Sequence, residues 1–233
     1  MMKAYPISPL GDSALIISFG QALSILLNEE VLSASRILQD AAMEGVRDIV
    51  PAYSSITVHY DVIATTRKHP SKSVFETIKQ QLEIILLQKE EVIKAVSRKL
   101  RIPVCYAEKF GWDLGSMATK LNLTIEEIVT LHTARKYRVY MIGFLPGFPY
   151  MGEVDERIAF PRKQEPRLQV GEGYVGIAGR QTGIYPTPSP GGWQIIGRTP
   201  VKLFDKNREE PALLRAGDEV EFFAITEDEF NHY

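Results

Sequence analysis

The chain has few of the residues that build metal and redox centres. It contains one cysteine, Cys105, among 233 residues, so neither an internal disulfide nor a multi-cysteine metal site can form. The four histidines are far apart in the sequence, and no H-E-x-x-H pair occurs. We therefore expect no metal site and no tightly bound cofactor in this chain.

Long apolar runs and an excess of one charge are also missing. No apolar run approaches the roughly 20 residues that cross a bilayer, and Pro6, Pro9, Gly11 and Asp12 interrupt any signal-peptide core near the N-terminus. The net charge is −2 and the pI is about 6.1, which gives no electrostatic signature of nucleic-acid or anionic-membrane binding. The sequence predicts a cytoplasmic protein without nucleic-acid or membrane partners.

Common catalytic motifs are absent as well. Neither the Walker-type G-x-x-x-x-G-K-[ST] loop nor the G-x-S-x-G nucleophile elbow occurs. Gly173, Gly176 and Gly179 match a dinucleotide fingerprint only weakly, because they lie among predicted strands and open no helix. Phosphate-loop, serine-hydrolase and metalloenzyme functions are therefore poorly supported.

The chain changes character near residue 97, which predicts an α+β protein of two domains. In residues 1–97, apolar residues alternate or follow helical spacing, as in a compact α/β subdomain. In residues 98–233, Thr124 and Glu127 form an S/T-x-x-E capping box before a helix. Short apolar runs from VGIA to EVEFFAI, including PVKLF at 200–204, then predict the strands of a β-barrel or sandwich.

The segment 140–200 combines two compositions that rarely occur together. Eleven of the 17 glycines lie between Gly143 and Gly197, a density typical of flexible linkers. Aromatic residues interleave with them, however, and these need burial or a ligand to stack on. The segment therefore predicts rigid, shaped loops on a β scaffold, where function is usually carried.

Within this segment, GRQTG at 179–183 has the composition of an anion-binding turn. Its glycines allow backbone N–H groups to face a bound oxygen, Arg180 adds a charge, and Gln181 and Thr182 add neutral donors. The alternative is a stiff structural turn whose polar residues satisfy one another. Spacing does not separate the two.

Other candidates also have a structural alternative. His132 continues the apolar face of the capped helix, either as a core imidazole bonded to a backbone carbonyl or as a base facing the loop that follows. Arg138, Arg167 and Arg198 are candidate clamps for carboxylate or phosphate, although each could be a surface charge. Trp193 is either a stacking platform or a plug in the barrel wall.

Three long motifs in fixed order resemble the KipI-like family. They are GFLPGFPYMG at 143–152, VGIAGRQTGIYP at 175–186 and SPGGWQIIGRTP at 189–200. This family includes the B subunit of bacterial ATP-dependent 5-oxoprolinase, proteins labelled allophanate hydrolase subunit 1, and the sporulation kinase A inhibitor. The resemblance covers nearly the whole chain and implies an N-terminal α/β subdomain, 1–97, followed by a cyclophilin-like β-barrel, 98–233.

The resemblance also implies a function that needs partners. Together with a KipA-like protein (the C subunit) and a LamB/YcsF-type protein (the A subunit), such a B subunit is expected to cleave 5-oxo-L-proline to L-glutamate, and to be inactive alone. ATP with Mg²⁺ is the implied co-substrate, bound at an interface between partners. The alternative within the family is a regulatory protein that inhibits a sensor histidine kinase. A third is a relative of the carboxyltransferase part of urea-type carboxylases.

The residues and the resemblance together give a candidate site. Its predicted catalytic residues are His132, Arg138, Gln181 and Arg198. The predicted substrate-, nucleotide- or partner-binding residues are Gly143, Phe144, Pro146, Gly147, Phe148, Tyr150, Arg167, Gly179, Arg180, Thr182, Gly183, Tyr185, Gly191, Gly192 and Trp193. These residues include no convincing nucleophile or carboxylate pair, so the sequence predicts half of a site that a partner completes.

Overall fold

The computed structural model describes residues 5–21, 24–87 and 97–233. The chain divides into two compact units, 1–96 and 97–233. Both units contain helices and strands, so the predicted α+β class is confirmed.

The first unit is a four-stranded antiparallel sheet with helices packed against it. The strands are β1 (Ile7–Pro9), β2 (Ala14–Ser18), β3 (Val46–Pro51) and β4 (Ser55–Tyr60), in the order β1-β2-β4-β3. The helices are α1 (Ile25–Asp40), α2 (Val62–Lys68) and α3 (Val74–Leu87).

Sequence periodicity accounts for the core of this unit. Leu15 and Ile17 alternate along β2 and are fully buried. Val31, Ala34 and Leu38 follow helical spacing along α1 and are fully buried too. Each large apolar side chain removed from water in this way contributes about 1.5–3 kcal/mol, which fixes the faces that α1 and the sheet turn toward each other.

The second unit is a closed barrel. Its strands are β5 (Lys99–Cys105), β6 (Lys136–Ile142), β7 (Pro149–Gly152), β8 (Arg167–Val170), β9 (Tyr174–Ala178), β10 (Gln181–Ile184), β11 (Ser189–Gly191), β12 (Gln194–Arg198) and β13 (Glu219–Ile225). Seven of them close in the order β10-β7-β6-β13-β5-β12-β9, while β8 and β11 pair separately. Closure leaves the barrel without an unpaired edge.

Helices in this unit contribute to the barrel core. They are α4 (Leu114–Leu121), α5 (Ile125–Thr133), α6 (Glu227–Asn231) and a 3₁₀ turn at Glu156–Ile158. The predicted capping box opens α5, because Thr124 Oγ1 accepts from the Glu127 N–H (3.1 Å) and the Glu127 carboxylate accepts from the Thr124 N–H (2.7 Å). Ile128 and His132, one helical turn apart on α5, are fully buried in the core.

One predicted strand is wrong. Residues 200–204 form no strand, and only the isolated bridge from Phe204 to Ala212 pairs them with another segment. Pro200 has no N–H to donate, and the Thr199 hydroxyl accepts from the Val201 N–H (3.1 Å). This hydrogen bond within the segment competes with the hydrogen bonds that would pair it as a strand.

None of the helices in the described residues has the length and apolar composition of a membrane-spanning segment.

Candidate functional site

Strand β10 presents neighbouring residues to opposite sides of the barrel wall. Thr182 points inward, where its Oγ1 lies 3.0 Å from Nε2 of His132. Gln181 therefore points outward. It pairs with Gly152 of β7, which in turn pairs with Arg138 of β6. Of the predicted catalytic residues, Arg138 and Gln181 thus share one row across the outer face, while His132 lies on the inner side.

His132 is enclosed in the core and fully hydrogen-bonded. Thr182 Oγ1 donates to the Gly176 carbonyl (3.1 Å), so it accepts from Nε2–H of His132, and Nδ1 accepts from the Tyr106 hydroxyl (2.8 Å). The imidazole also stacks on Phe222, with centroids 4.7 Å apart. Burial lowers the pKa of His132 to about 3, which keeps the ring neutral. The structure favours the core alternative, with hydroxyl groups in place of the expected backbone carbonyl.

Arg198 lies away from the outer row. It pairs with Tyr174, four residues along β9 from Ala178, the partner of Gln181, which corresponds to roughly 13 Å. Its Nε donates to the Glu172 carbonyl (2.9 Å). Three aromatic rings surround the guanidinium at 5.2 to 5.8 Å: Tyr174, Phe110 and Phe230. These contacts are typical of a residue that stabilises the fold.

The predicted anion-binding turn is the connection of a β-hairpin. Gly179 (φ 59°) and Arg180 link β9 to β10. The Gly179 N–H donates to the Phe160 carbonyl (2.7 Å), and Arg180 forms ion pairs with Glu153 (2.6 Å) and Glu156 (3.3 Å). These contacts favour the alternative of a structural turn, because the Gly179 N–H group and the Arg180 charge are engaged within the protein; binding of an anion by this turn stays a prediction.

An aromatic cluster packs on the outer side of the wall. Phe148 makes edge-to-face contacts with Tyr185 and Trp193, at 5.3 and 5.4 Å between centroids. Tyr150 lies 5.9 Å from Trp193. Phe148, Tyr185 and Trp193 are buried, and Tyr150 is half-buried. Trp193 thus forms part of the wall, as the plug alternative requires.

Two glycines explain why glycine and aromatic residues alternate in this segment. A Cβ on Gly183 would lie 2.9 Å from the Phe148 ring and 2.8 Å from the Pro149 carbonyl oxygen. A Cβ on Gly191 would overlap the Tyr185 hydroxyl. Glycine is therefore required for close ring packing at these positions, and it makes the segment compact instead of flexible.

The predicted binding loop between β6 and β7 exposes one aromatic side chain. Phe144 is 63 % exposed and has a φ of 69°, a backbone conformation that costs a non-glycine residue roughly 1–2 kcal/mol. The Gly143 N–H donates to the Phe148 carbonyl (3.1 Å), which closes the turn containing Pro146 and Gly147. A strained, exposed aromatic residue marks this loop tip as a candidate contact for a ligand or partner.

A buried carboxylate that the sequence does not single out, Asp113, anchors the basic segment 162–167. Its Oδ1 accepts from Arg167 (2.7 Å) and Lys163 (3.2 Å), and its Oδ2 accepts from the Ile195 N–H (2.6 Å). Burial raises the pKa of Asp113, but these hydrogen bonds outweigh it and the net shift is downward. An Asp just before a helix is typical of an N-cap, yet the Asp113 side chain makes no capping hydrogen bond. Sequence reasoning missed its role because its partners lie about fifty residues later in the chain.

The family of the chain follows from its similarity to known proteins. Residues 5–214 match the carboxyltransferase domain family, subdomain C and D. The chain belongs to this family. It is 42 % identical to the 5-oxoprolinase B subunit of Bacillus subtilis (strain 168) over 100 % of this chain and 98 % of that protein. It is 38 % identical to the Haemophilus influenzae protein of the same name, over 93 % and 96 % of the two chains. The predicted resemblance is confirmed.

Some solved structures contain the matching unit as part of a longer chain. In a crystal structure of the protein TTHA0988, the similarity has a TM-score of 0.77 and 37 % identity, covering 91 % of this chain and 40 % of that one. The Kluyveromyces lactis urea carboxylase matches with a TM-score of 0.74 over 98 % of this chain and 22 % of that one; at 17 % identity it shows the fold alone. In both proteins the matching unit is joined to further polypeptide.

Proposed function

We propose that the chain is the B subunit of an ATP-dependent 5-oxoprolinase, which cleaves 5-oxo-L-proline to L-glutamate. The observation that carries this proposal is the 42 % identity to a 5-oxoprolinase B subunit across essentially the full length of both proteins. Its proposed partners are a KipA-like protein as the C subunit and a LamB/YcsF-type protein as the A subunit. Joining of the same unit to further polypeptide in TTHA0988 supports a partner that contacts this chain permanently.

The outer face of the barrel is the part of this chain that we assign to the substrate. A lactam is a poor electrophile, and transfer of the γ-phosphoryl group of ATP to its carbonyl oxygen, with release of ADP, makes ring opening by water easier. That transfer needs hydrogen-bond donors at the phosphoryl and leaving oxygens, where negative charge develops. Arg138 and Gln181, paired through Gly152, supply donors of this kind beside the aromatic cluster. Neither side chain is a nucleophile, so this chain binds and orients the substrate.

Mg²⁺ and ATP fit this chain less well. Mg²⁺ takes oxygen ligands, chiefly carboxylates and phosphates. Within the described part of the chain, no group of three or more His, Cys, Asp or Glu side chains could hold a metal ion. We therefore propose that the partner supplies the carboxylates, and that ATP binds at the interface.

The test is co-expression with the KipA-like and LamB/YcsF-type proteins, followed by an assay of ATP-dependent glutamate release. We expect Gln181→Ala and Arg138→Ala to lower kcat by about 10²–10³-fold, the usual loss for one preorganised donor, while the complex still assembles. Gln169→Ala, an exposed glutamine on β8, is the matched control. A well-folded complex without activity would overturn the proposal, and inhibition of a purified sensor histidine kinase by this chain would favour the regulatory alternative.

A further inference from the structure

The arginines around the outer face differ in what their guanidinium groups contact. Arg167, Arg180 and Arg198 are each bonded to an acceptor in the protein. Arg162, by contrast, forms no hydrogen bond or ion pair with any residue in the described ranges 5–21, 24–87 and 97–233. Its guanidinium carbon lies 5.8 Å from the centroid of the Trp193 ring. This cation therefore contacts an aromatic ring, and its N–H groups donate to no acceptor within the described part of the protein.

The position of Arg162 is fixed even though its side chain is exposed. On one side, the Pro161 carbonyl accepts from the Gln194 side chain (2.9 Å). On the other, the Lys163 N–H donates to the Gly192 carbonyl (2.8 Å). Backbone bonds on both sides hold residue 162 in place above β12 and its preceding loop. Because the backbone is already ordered here, ligand binding costs only the conformational entropy of the side chain.

The surroundings of Arg162 favour an anion. Segment 162–167 carries three positive side chains and one negative, and Asp113 balances one more positive charge, which leaves a net positive charge. The ring centroids of Tyr150 and Trp193 lie 5.9 Å apart. Burial raises the pKa of Tyr150, and the positive charge of Arg162 opposes that shift. A planar guanidinium can bind a carboxylate or phosphate through two parallel N–H bonds while its face stays on an aromatic ring.

We propose that Arg162 binds the anionic group of the ligand at the outer face, a carboxylate or phosphate oxyanion, beside Trp193 and Tyr150. This inference rests on the proposed function, which supplies the two sources of such a group, namely the carboxylate of 5-oxo-L-proline and the phosphates of ATP. Arg162 is then a specificity-determining residue that distinguishes charged from neutral ligands, while Arg138 and Gln181 face the lactam.

The two tryptophans of the chain make a direct binding test possible. Their indole N–H signals in a ¹H–¹⁵N spectrum of the full chain are assigned with Trp112→Phe, and the Trp193 signal then reports on Arg162. Separate titrations use 5-oxo-L-proline, its uncharged carboxamide, and inorganic tripolyphosphate. We expect at least one of the two anions to shift the Trp193 signal, and the carboxamide to have no effect. Which anion binds identifies the source of the oxyanion.

Two variants of Arg162 decide the result. Arg162→Gln is expected to weaken anion binding by about 10- to 100-fold, the range for loss of a charged hydrogen bond, and Arg162→Lys by less, since it keeps the charge without the planar fork. Arg208→Gln, an exposed arginine between β12 and β13, changes the net charge equally and should have no effect. Failure of both anions to shift the wild-type signal, or equal affinities in wild type and Arg162→Gln, would overturn the inference. An inactive assembled complex would instead count against the proposed function alone.

Discussion

Polar residues on the two faces of the barrel wall differ in burial and in their hydrogen-bond partners. On the inner face, Thr182 and His132 form a closed chain of hydrogen bonds that ends at the Tyr106 hydroxyl and the Gly176 carbonyl. On the outer face, Gln181 is one peptide bond away and partly exposed. A buried polar group must be satisfied within the protein, whereas a partly exposed one is accessible to a ligand. We infer that the inner face serves stability and the outer face serves binding.

The largest expected effect tests the inner face. His132→Ala would leave a cavity beside Phe222 and remove the hydrogen-bond partner of two buried hydroxyls. We expect the free energy of unfolding to fall by about 3–5 kcal/mol, by analogy with other large-to-small core changes. Urea unfolding followed by circular dichroism measures it. Gln181→Ala on the outer face is the comparison, with an expected change below about 1 kcal/mol. Similar losses in both variants would contradict the distinction between the faces.

The same histidine predicts a pH dependence of stability. The pKa of His132 is lowered by burial to about 3 in the folded chain, against about 6.5 in an unfolded one. Between these values the unfolded state binds more protons, so stability is lost as the pH falls from about 6.5 toward 3, with a slope of up to about 1.4 kcal/mol per pH unit. His132→Gln cannot titrate and should lack this component. Parallel stability curves for the two proteins would show that the imidazole is not neutral in the core.

The next effect concerns Asp113, the buried carboxylate that anchors the basic segment 162–167. Asp113→Ala removes the acceptor for Arg167, Lys163 and the Ile195 N–H. Because the two cations remain partly solvated, we expect a loss of about 2–3 kcal/mol, below the usual range for a fully buried pair. Faster amide exchange at Lys163 should accompany it. Glu165→Ala, an exposed carboxylate in the same segment, should change the unfolding free energy by less than about 0.5 kcal/mol.

A smaller loss should follow from crowding the aromatic cluster. Gly183→Ala brings a Cβ against the Phe148 ring and the Pro149 carbonyl, and the backbone oxygen cannot move aside as a side chain can. We expect about 1–3 kcal/mol of destabilisation and a shifted Trp193 indole signal. Gly115→Ala on α4 meets no atom within 4 Å and should be neutral or slightly stabilising. If both substitutions behaved alike, close packing would not explain the glycine at residue 183.

Local patterns predict much of this structure. The capping box at Thr124 and Glu127, the core faces of β2 and α1, and the α+β class depend on residues close together in sequence, and all are confirmed. The three family motifs are likewise sufficient to identify the family.

The sequence could not predict which residues far apart along the chain contact one another. The side of the wall that Gln181 faces depends on its register with β7 and β9. Asp113 and Lys163, which form a hydrogen bond, are fifty residues apart in sequence. Arg162 is distinguished from the nearby arginines only by the contacts that those arginines make in the folded chain. The catalytic assignments of Arg138 and Gln181 stay predictions, since they await the assembled complex.

The smallest expected effect is that of replacing Arg180, and it tests whether the β9–β10 connection has a different role from Gln181 in the outer row. Arg180 is about half exposed and paired with Glu153 and Glu156, and exposed ion pairs contribute at most about 1 kcal/mol. Arg180→Ala should therefore lower the unfolding free energy by less than about 1 kcal/mol, and added salt should reduce the difference. Turnover of the assembled complex should stay within about threefold of wild type, a change below about 1 kcal/mol in barrier. Gln181→Ala, one residue away, should show the reverse pattern of intact stability and lost turnover. A large loss of turnover in Arg180→Ala would mean that the arginine leaves its two glutamates to bind the ligand, and the outer site would then extend to the hairpin.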